Sequence, residues 1–341
     1  MRVAVYYNNH DVRLEDMAVP QIGADELLVK VMAGGLCGSD VLEWYRIKKA
    51  PRVLGHEISG EITQAGRDIK KFKAGDRVAV THHVPCNTCH YCLSGHPTAC
   101  ETLHTTNFDP GGFAEYLRVP AINVDRGTFL LPETVSFEEG TFVEPLACAL
   151  RGQKIIRTKP GQTVLVIGSG ISGLLHIKLA AMFGAGRIIA TDIHPYRLDF
   201  AKRCGADFVF SAGDFTPENL RAVNDGRLAD RVIVCAGSLA AARQALEAAD
   251  RGGVIMFFAV PHPDDRLLLP INDFWRNDMT LLTSYAAVGD DLQETVELLA
   301  AKRVEVRDMI THRFPLARAG EGFRLMEAAA DSMKIIIEPQ K

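Results

Sequence analysis

The 341-residue chain has no surplus of positive charge: 38 Lys and Arg stand against 42 Asp and Glu, a formal net charge of −4. A mildly acidic chain has no electrostatic reason to seek nucleic acid or an anionic membrane surface. Cysteine is also sparse, eight residues in all, which excludes a disulfide scaffold. The opening residues, MRVAVYYNNHDVRLED, lack the basic segment, apolar core and small-residue cleavage site of a secretory signal. The expected compartment is therefore the cytosol, where thiols stay reduced. No unbroken apolar run reaches membrane length either. The stretch from Val164 to Ala190 carries four glycines up to Gly184, together with Ser169, Ser172, His176 and Lys178, and reads as a buried strand and helix. Repeats and low-complexity segments are absent. What remains is a composition of 47% apolar and 23% charged residues, that of a globular protein. At about 150 residues per domain, the length predicts two domains.

The pattern of apolar runs divides the chain in the same way. Up to about residue 145, short β-type runs such as LLVKVMA, EISGEIT and DRVAVTH are separated by Gly, Asp or Pro, which predicts an irregular β-rich barrel or sandwich. From about residue 160 apolar strands alternate with helical stretches: TVLVI, ISGLLHIKLAAMFGA, RIIATD, PYRLDFAKRCGA, DFVFSA and onward through RVIVCAG, GGVIMFFAV and MTLLTSYA. That rhythm predicts an α/β fold with a doubly wound parallel sheet. Beyond Gly289 the segments DDLQETVELLAAKR, ITHRFPL, ARAGEGFRLMEAA and KIIIEP do not extend it cleanly. The chain is therefore expected to re-enter the first domain, giving boundaries at 1–146 with 288–341, and 147–287.

Three groups of residues carry chemistry. GSGISG, from Gly168 to Gly173, lies between the strand TVLVI and a helical stretch. In a dinucleotide site Gly168 makes the tight turn, Gly170 admits the pyrophosphate to the backbone and Gly173 allows close helix packing, while Ser172 opens the helix whose N–H groups face the phosphates. Asp192, about twenty residues on, can accept hydrogen bonds from ribose hydroxyls and repel a 2′-phosphate, which favours NAD over NADP. Arg197 is compatible either with accommodating such a phosphate or with stacking on adenine. Cys86, Cys89, Cys92 and Cys100 have the spacing C-x2-C-x2-C-x7-C, which can wrap four thiolates around one zinc. A four-thiolate site is closed to substrate, so this is expected to be a structural pin; His82, His83, His90 and His96 surround it as alternative ligands, but each is expected to be a surface polar residue. The third group is Cys37 in GLCGSD, His56 and Glu57 in GHE, and Glu144 in FVEPLA. A Cys, a His and one or two carboxylates can hold zinc with an open position for an alcohol oxygen. Ser39, two residues after Cys37, is placed to accept the alcohol proton. Taken singly, Cys37 could be a core thiol, His56 a satisfied core imidazole and Glu144 a carboxylate at a helix start.

Together these motifs resemble the zinc-containing medium-chain dehydrogenase family. GHEISGEITQAG (Gly55 to Gly66) is similar to that family's GHExxGxxxxxG signature, and CGSD, the four-cysteine lobe, GGFAEY, VEPLA, GSGISG and THRFPL follow in the family's order across essentially the whole chain. The nearest branch is the polyol branch of sorbitol, L-idonate and threonine dehydrogenases. The resemblance implies a GroES-like catalytic domain plus a Rossmann domain and a catalytic zinc on Cys37 and His56. Glu57 and Glu144 would complete or exchange within its coordination, with Ser39 as proton relay, NAD as cofactor and a small alcohol or ketone as substrate. A homo-oligomer is expected, a tetramer in preference to a dimer.

The chain departs from the branch in three places. Leu42 stands where many relatives carry a histidine that finishes the proton path, so protons would leave through ribose hydroxyls and water or through Glu43. The segment between Asp40 and Gly55 is shorter than in sorbitol dehydrogenases, and a substrate-binding arginine of that branch falls near Ser284. Two other readings compete. A quinone-reductase-like enzyme without catalytic zinc is disfavoured by the intact Cys37, His56, Glu57 and Glu144 set. A nucleic-acid-binding zinc ribbon is disfavoured by the net charge of −4.

Overall fold

The computed structural model describes residues 1–329 and 331–341. It divides into two compact units, Met1–Ala147 with Ala286–Lys341, and Cys148–Tyr285. The division at Ala147 falls inside the helix Val143–Ile156.

The first unit opens with strands β1 (Arg2–Asn8), β2 (Asp11–Asp16), β3 (Leu27–Gly35), β4 (Arg52–Val53), β5 (Glu57–Ala65), β6 (Arg77–Thr81), β7 (Tyr116–Val119) and β8 (Thr128–Leu130). The second unit supplies β9 (Thr163–Ile167), β10 (Arg187–Asp192), β11 (Phe208–Ser211), β12 (Ala229–Val234), β13 (Ala249–Phe257) and β14 (Thr280–Thr283). The chain then returns to the first unit with β15 (Ile310–Pro315) and β16 (Lys334–Glu338).

In the first unit a small sheet runs β2-β1-β4 and a larger one runs β15-β16-β3-β5-β6-β8, with β7 also paired to β3. The pairs are antiparallel except β15 with β16. Alternation along the strands turns Leu27, Val29, Val31, Ile58, Ile62, Val78 and Leu117 into one core, and each such side chain contributes about 1.5–3 kcal/mol on burial. Register does the positioning. Gly35 on β3 lies opposite Glu57 on β5 and opposite Ile336 on β16, so the tail of the chain is brought to the GHE motif.

The second unit is a parallel sheet in the order β11-β10-β9-β12-β13-β14. This order reverses between β9 and β12, the point at which doubly wound sheets bind dinucleotides. All five residues of β9 are buried, as a central parallel strand requires. Two short helices, Pro217–Val223 and Ile271–Arg276, escape the sequence rhythm because neither is long enough to establish a 3.6-residue period. Among the described residues no helix is long and apolar enough to cross a membrane.

Candidate active site and metal centres

Cys37, His56 and Glu57 converge: one ligand atom from each lies within 4.8 Å of the others. Cys37 sits at the end of β3 as the cap of a short 3-10 turn, Gly38–Val41, where its sulfur accepts the Ser39 amide at 3.5 Å. The Cys37 amide in turn donates to Asp40 Oδ2 at 3.1 Å. His56 and Glu57 lie where the chain enters β5, so a turn and a strand start bring the three donors together.

Asp40 is the hub of the cluster. Fully buried, it faces His56 Nδ1 at 3.4 Å and accepts from Arg46 Nη2 at 3.1 Å, both through Oδ1. Burial alone would raise its pKa, but His56, Arg46 and the Cys37 amide hold the carboxyl below the ordinary range. For His56 the balance runs the other way. Burial opposes its protonation, yet Asp40 and Cys37 raise its pKa well above the ordinary value. A centre this rich in negative charge suits a divalent cation, and a ring whose Nδ1 faces Asp40 keeps Nε2 for the metal. Ser39 Oγ stands 3.4 Å from the Cys37 sulfur and accepts from Arg46 Nη2 at 2.9 Å, while Arg46 Nε donates to the Ser39 carbonyl at 2.9 Å. Glu43 is turned elsewhere, accepting the Asn9 amide at 3.3 Å.

Glu57 has a partner the sequence did not disclose. Its Oε2 is hydrogen-bonded to Lys334 Nζ, and both residues are almost completely buried. Gly35 makes room for the pair: a Cβ there would lie 2.5 Å from the Glu57 oxygen and 2.6 Å from the Lys334 nitrogen. The ammonium also sits 5.1 Å from the Phe142 ring centroid. Glu144 is not in the three-residue cluster; it lies in the first turn of Val143–Ile156 and lines a pocket with Ile58, Thr81 and Leu292.

His82 and His83 are not surface residues. They are half-buried, their rings 3.6 Å apart, and the His82 ring lies 4.8 Å from that of His56. Burial first, and then neighbouring histidines and Arg46, push His82 well below the ordinary range and His83 down to about 3, so both are neutral. The turn out of β6 explains the difference: Thr81 and Val84 on either side are buried and draw the pair inward. His90 and His96 are exposed.

The four-cysteine lobe forms a second cluster, with Cys86, Cys89, Cys92 and Cys100 all free thiols whose sulfurs lie within 4.8 Å of one another. Sulfurs bound about 2.3 Å from one tetrahedral zinc stand about 3.8 Å apart. Cys89 to Cys92 is 3.6 Å and Cys86 to Cys92 is 4.0 Å, which fits that ion. The amides of Thr88 and Cys89 point at the Cys86 sulfur at 3.5 and 3.2 Å and lower its pKa to about 5. Burial and the surrounding sulfurs raise Cys92 to about 12, the strain that a cation relieves. Cys92→Ser is therefore expected to reduce bound zinc by one ion per chain and lower Tm by about 5 °C or more, while turnover per folded molecule stays within about threefold. Metal analysis and calorimetry check this, and a stable but inactive variant would contradict the division of roles.

In the second unit Gly168 follows β9 with φ +94°, a left-handed conformation that costs a glycine little. At Gly173 a Cβ would lie 2.0 Å from the Gly168 carbonyl oxygen, so only glycine lets the helix Ile171–Met182 start this close to the strand. Gly170 caps that helix without a side-chain hydrogen bond, and a Cβ there would meet only Arg197 Nη1 at 3.8 Å. The helix N–H groups, with Ser172 half-buried in the first turn, are thus open to an anion. Asp192 ends β10, its carboxylate fixed by the Ser169 amide at 2.7 Å and the His194 amide at 2.9 Å, with Arg197 Nη1 4.0 Å away.

Comparison with known proteins gives matches in both units. The family model described as "Alcohol dehydrogenase GroES-like domain" matches residues 23–126, and "Zinc-binding dehydrogenase" matches residues 172–301. The sorbitol dehydrogenase of Bacillus subtilis (strain 168) is 30% identical over 100% of this chain and 98% of its own. A zinc-binding dehydrogenase of Sinorhizobium meliloti 1021 bound to NADP superposes with a TM-score of 0.88 at 27% identity, covering 99% of each chain. Galactitol-1-phosphate dehydrogenase of Escherichia coli superposes with a TM-score of 0.89 at 28% identity, covering 99% of this chain and 100% of that one.

Proposed function

The chain belongs to the zinc-containing medium-chain alcohol dehydrogenase family, and from that premise we propose that it interconverts a secondary alcohol and its ketone with NAD at the Cys37–His56–Glu57 centre, on a polyol, sugar acid or related hydroxy compound. Zinc held by Cys37, His56 and one of the carboxylates Glu57 and Glu144 would polarise the substrate oxygen, and the nicotinamide would accept the hydride. The protein's own groups then divide the remaining work. Asp40 orients His56, and Lys334 neutralises Glu57. Ser39 Oγ receives the alcohol proton. Arg46, a donor without an acceptor, holds that oxygen but cannot carry the proton onward, so its exit runs through ribose hydroxyls and water. The observation that carries this reading is the three-ligand cluster with a hydroxyl 3.4 Å from its sulfur.

The names of the relatives support the substrate class, since sorbitol and galactitol 1-phosphate are both polyhydroxy compounds. The test is NADH formation by the zinc-replete protein over polyols, sugar acids, threonine and simple secondary alcohols. Turnover of one class is expected, and silence across the panel would overturn the assignment.

Gly168, Gly170, Ser172 and Gly173 would hold the pyrophosphate, with Asp192 on the adenosine ribose and Arg197 beside it. At an effective dielectric near 20, two like charges 4 Å apart repel by about 4 kcal/mol, so Asp192 selects against a 2′-phosphate. Replacing Asp192 with Gly or Ala is expected to raise the NADP:NAD ratio of kcat/KM by at least about tenfold. An unchanged ratio, measured with both cofactors on one preparation, would remove Asp192 from this role.

A homotetramer in the cytosol completes the proposal. Eight free thiols suit a reducing compartment, and Leu268, Ile271 and Trp275 lie 93%, 75% and 78% exposed just before the edge strand β14, an apolar surface that a second copy would cover. Trp275→Glu is expected to shift the protein to a smaller species in light scattering; an unshifted mass would place the contact elsewhere.

A further inference from the structure

Among the described residues Asp40, Glu57 and Glu43 are engaged, whereas the guanidinium of Arg52 is not. Asp40 is engaged by Arg46, His56 and the Cys37 amide, Glu57 by Lys334, and Glu43 by the Asn9 amide. Arg52, half-buried on β4, has neither an ion-pair partner nor a side-chain hydrogen bond among the described residues. Burial and the charge of Arg46 both work against it, lowering its pKa. Half-buried guanidinium groups normally find acceptors. Arg46 has spent Nε and Nη2 on Ser39 and Asp40, and its Nη1 remains over. Two hydrogen bonds, of 2.9 and 3.4 Å, separate Arg46 Nη2 from the Cys37 sulfur by way of Ser39 Oγ. Lys48 and Lys49 lie between the two arginines in the chain, so four of the seven residues from 46 to 52 are basic.

We propose that Arg52 and Arg46 bind an anionic substituent, a carboxylate or a phosphate monoester, carried by the alcohol substrate beside the Cys37–His56–Glu57 centre. The inference rests on the dehydrogenase reading above and names its substrate class. Arg52 offers a planar fork that matches either oxyanion with two parallel hydrogen bonds, and Arg46 adds a third donor. An anion held by Arg46 lies beside Ser39, whose hydroxyl oxygen accepts from Arg46 Nη2 at 2.9 Å. Neutral polyols leave Arg52 without an acceptor and are bound less well.

The test compares D-glucitol with D-gluconate and with D-glucitol 6-phosphate, in the wild type, Arg52→Gln and Arg52→Lys, each with its zinc content measured. NADH formation is read alongside calorimetric titration of D-gluconate and of inorganic phosphate into the zinc-loaded protein. One anionic compound is expected to exceed D-glucitol in kcat/KM by about tenfold or more. Arg52→Gln should cut that preference about 10- to 100-fold and weaken the matching titration equally, with zinc retained, and Arg52→Lys should fall between. A preference for gluconate identifies the carboxylate, and one for the 6-phosphate identifies the phosphate ester. Turnover of D-glucitol with the same ratio in Arg52→Gln as in the wild type would overturn the anion site alone. An Arg52-dependent titration with no NADH from any compound would leave the anion site standing and overturn the dehydrogenase reading.

Discussion

Cys37→Ser is expected to lower turnover by about 1000-fold or more while NAD binding stays within about threefold of the wild type, as read from cofactor fluorescence. A thousandfold loss is about 4 kcal/mol of transition-state stabilisation, the order that loss of a charge-bearing metal centre entails. Serine keeps the size of the side chain but is a far poorer zinc ligand than a thiolate. It can still cap the turn at Gly38–Val41, so the local fold should persist. Binding should persist because the dinucleotide loop lies in Cys148–Tyr285, a unit with its own parallel sheet and core. Loss of turnover and NAD binding together would mean that Cys37 supports folding instead of chemistry.

The second large effect is on stability. Lys334→Met is expected to destabilise the first unit by about 3–5 kcal/mol, because it leaves the Glu57 carboxylate buried without its counter-charge. The variant Lys334→Met with Glu57→Gln should recover more than half of that loss, since the uncompensated charge is gone. The chain provides a convenient reporter: its two tryptophans fall one in each unit, Trp44 in the first and Trp275 in the second. In a Trp275→Phe background, denaturant unfolding followed by Trp44 fluorescence reads the first unit. A Lys334→Met transition within about 1 kcal/mol of the parent would show that Glu57 does not depend on the lysine for its charge.

The parts of this site legible in the sequence are those whose meaning is carried by short spacing. Four cysteines within fifteen residues announce a closed metal lobe, and GSGISG after an apolar strand announces a helix start facing an anion. Past Gly289 the strand and helix rhythm breaks, in the part of the chain that packs with Met1–Ala147. What could not be read is what distance in sequence conceals. Lys334 meets Glu57 across 277 positions, and its one signal was a lysine at the head of the apolar run KIIIEP, where a buried charge demands a partner. Arg46 reaches Ser39 and Asp40 because the 3-10 turn Gly38–Val41 and the four-residue helix Glu43–Arg46 fold the segment back on itself, elements too short for periodicity to register. His82 and His83 looked like surface residues of the cysteine lobe; the buried residues on either side turn them toward His56 instead. In each case tertiary contact decides, and local propensity is silent.

On the function proposed above, hydride transfer to NAD is metal-assisted and depends on the Cys37–His56–Glu57 centre, while the four-cysteine lobe serves the fold. The most direct measurement is NADH formation from the best secondary alcohol substrate, before and after zinc removal by a chelator and again after zinc is restored, with bound metal counted at each stage. Turnover should vanish when the more labile of two zinc ions per chain is removed and return when it is replaced. Turnover that continues with that ion gone would overturn the role given to Cys37, His56 and Glu57 and favour a nicotinamide-dependent reductase that works without catalytic zinc.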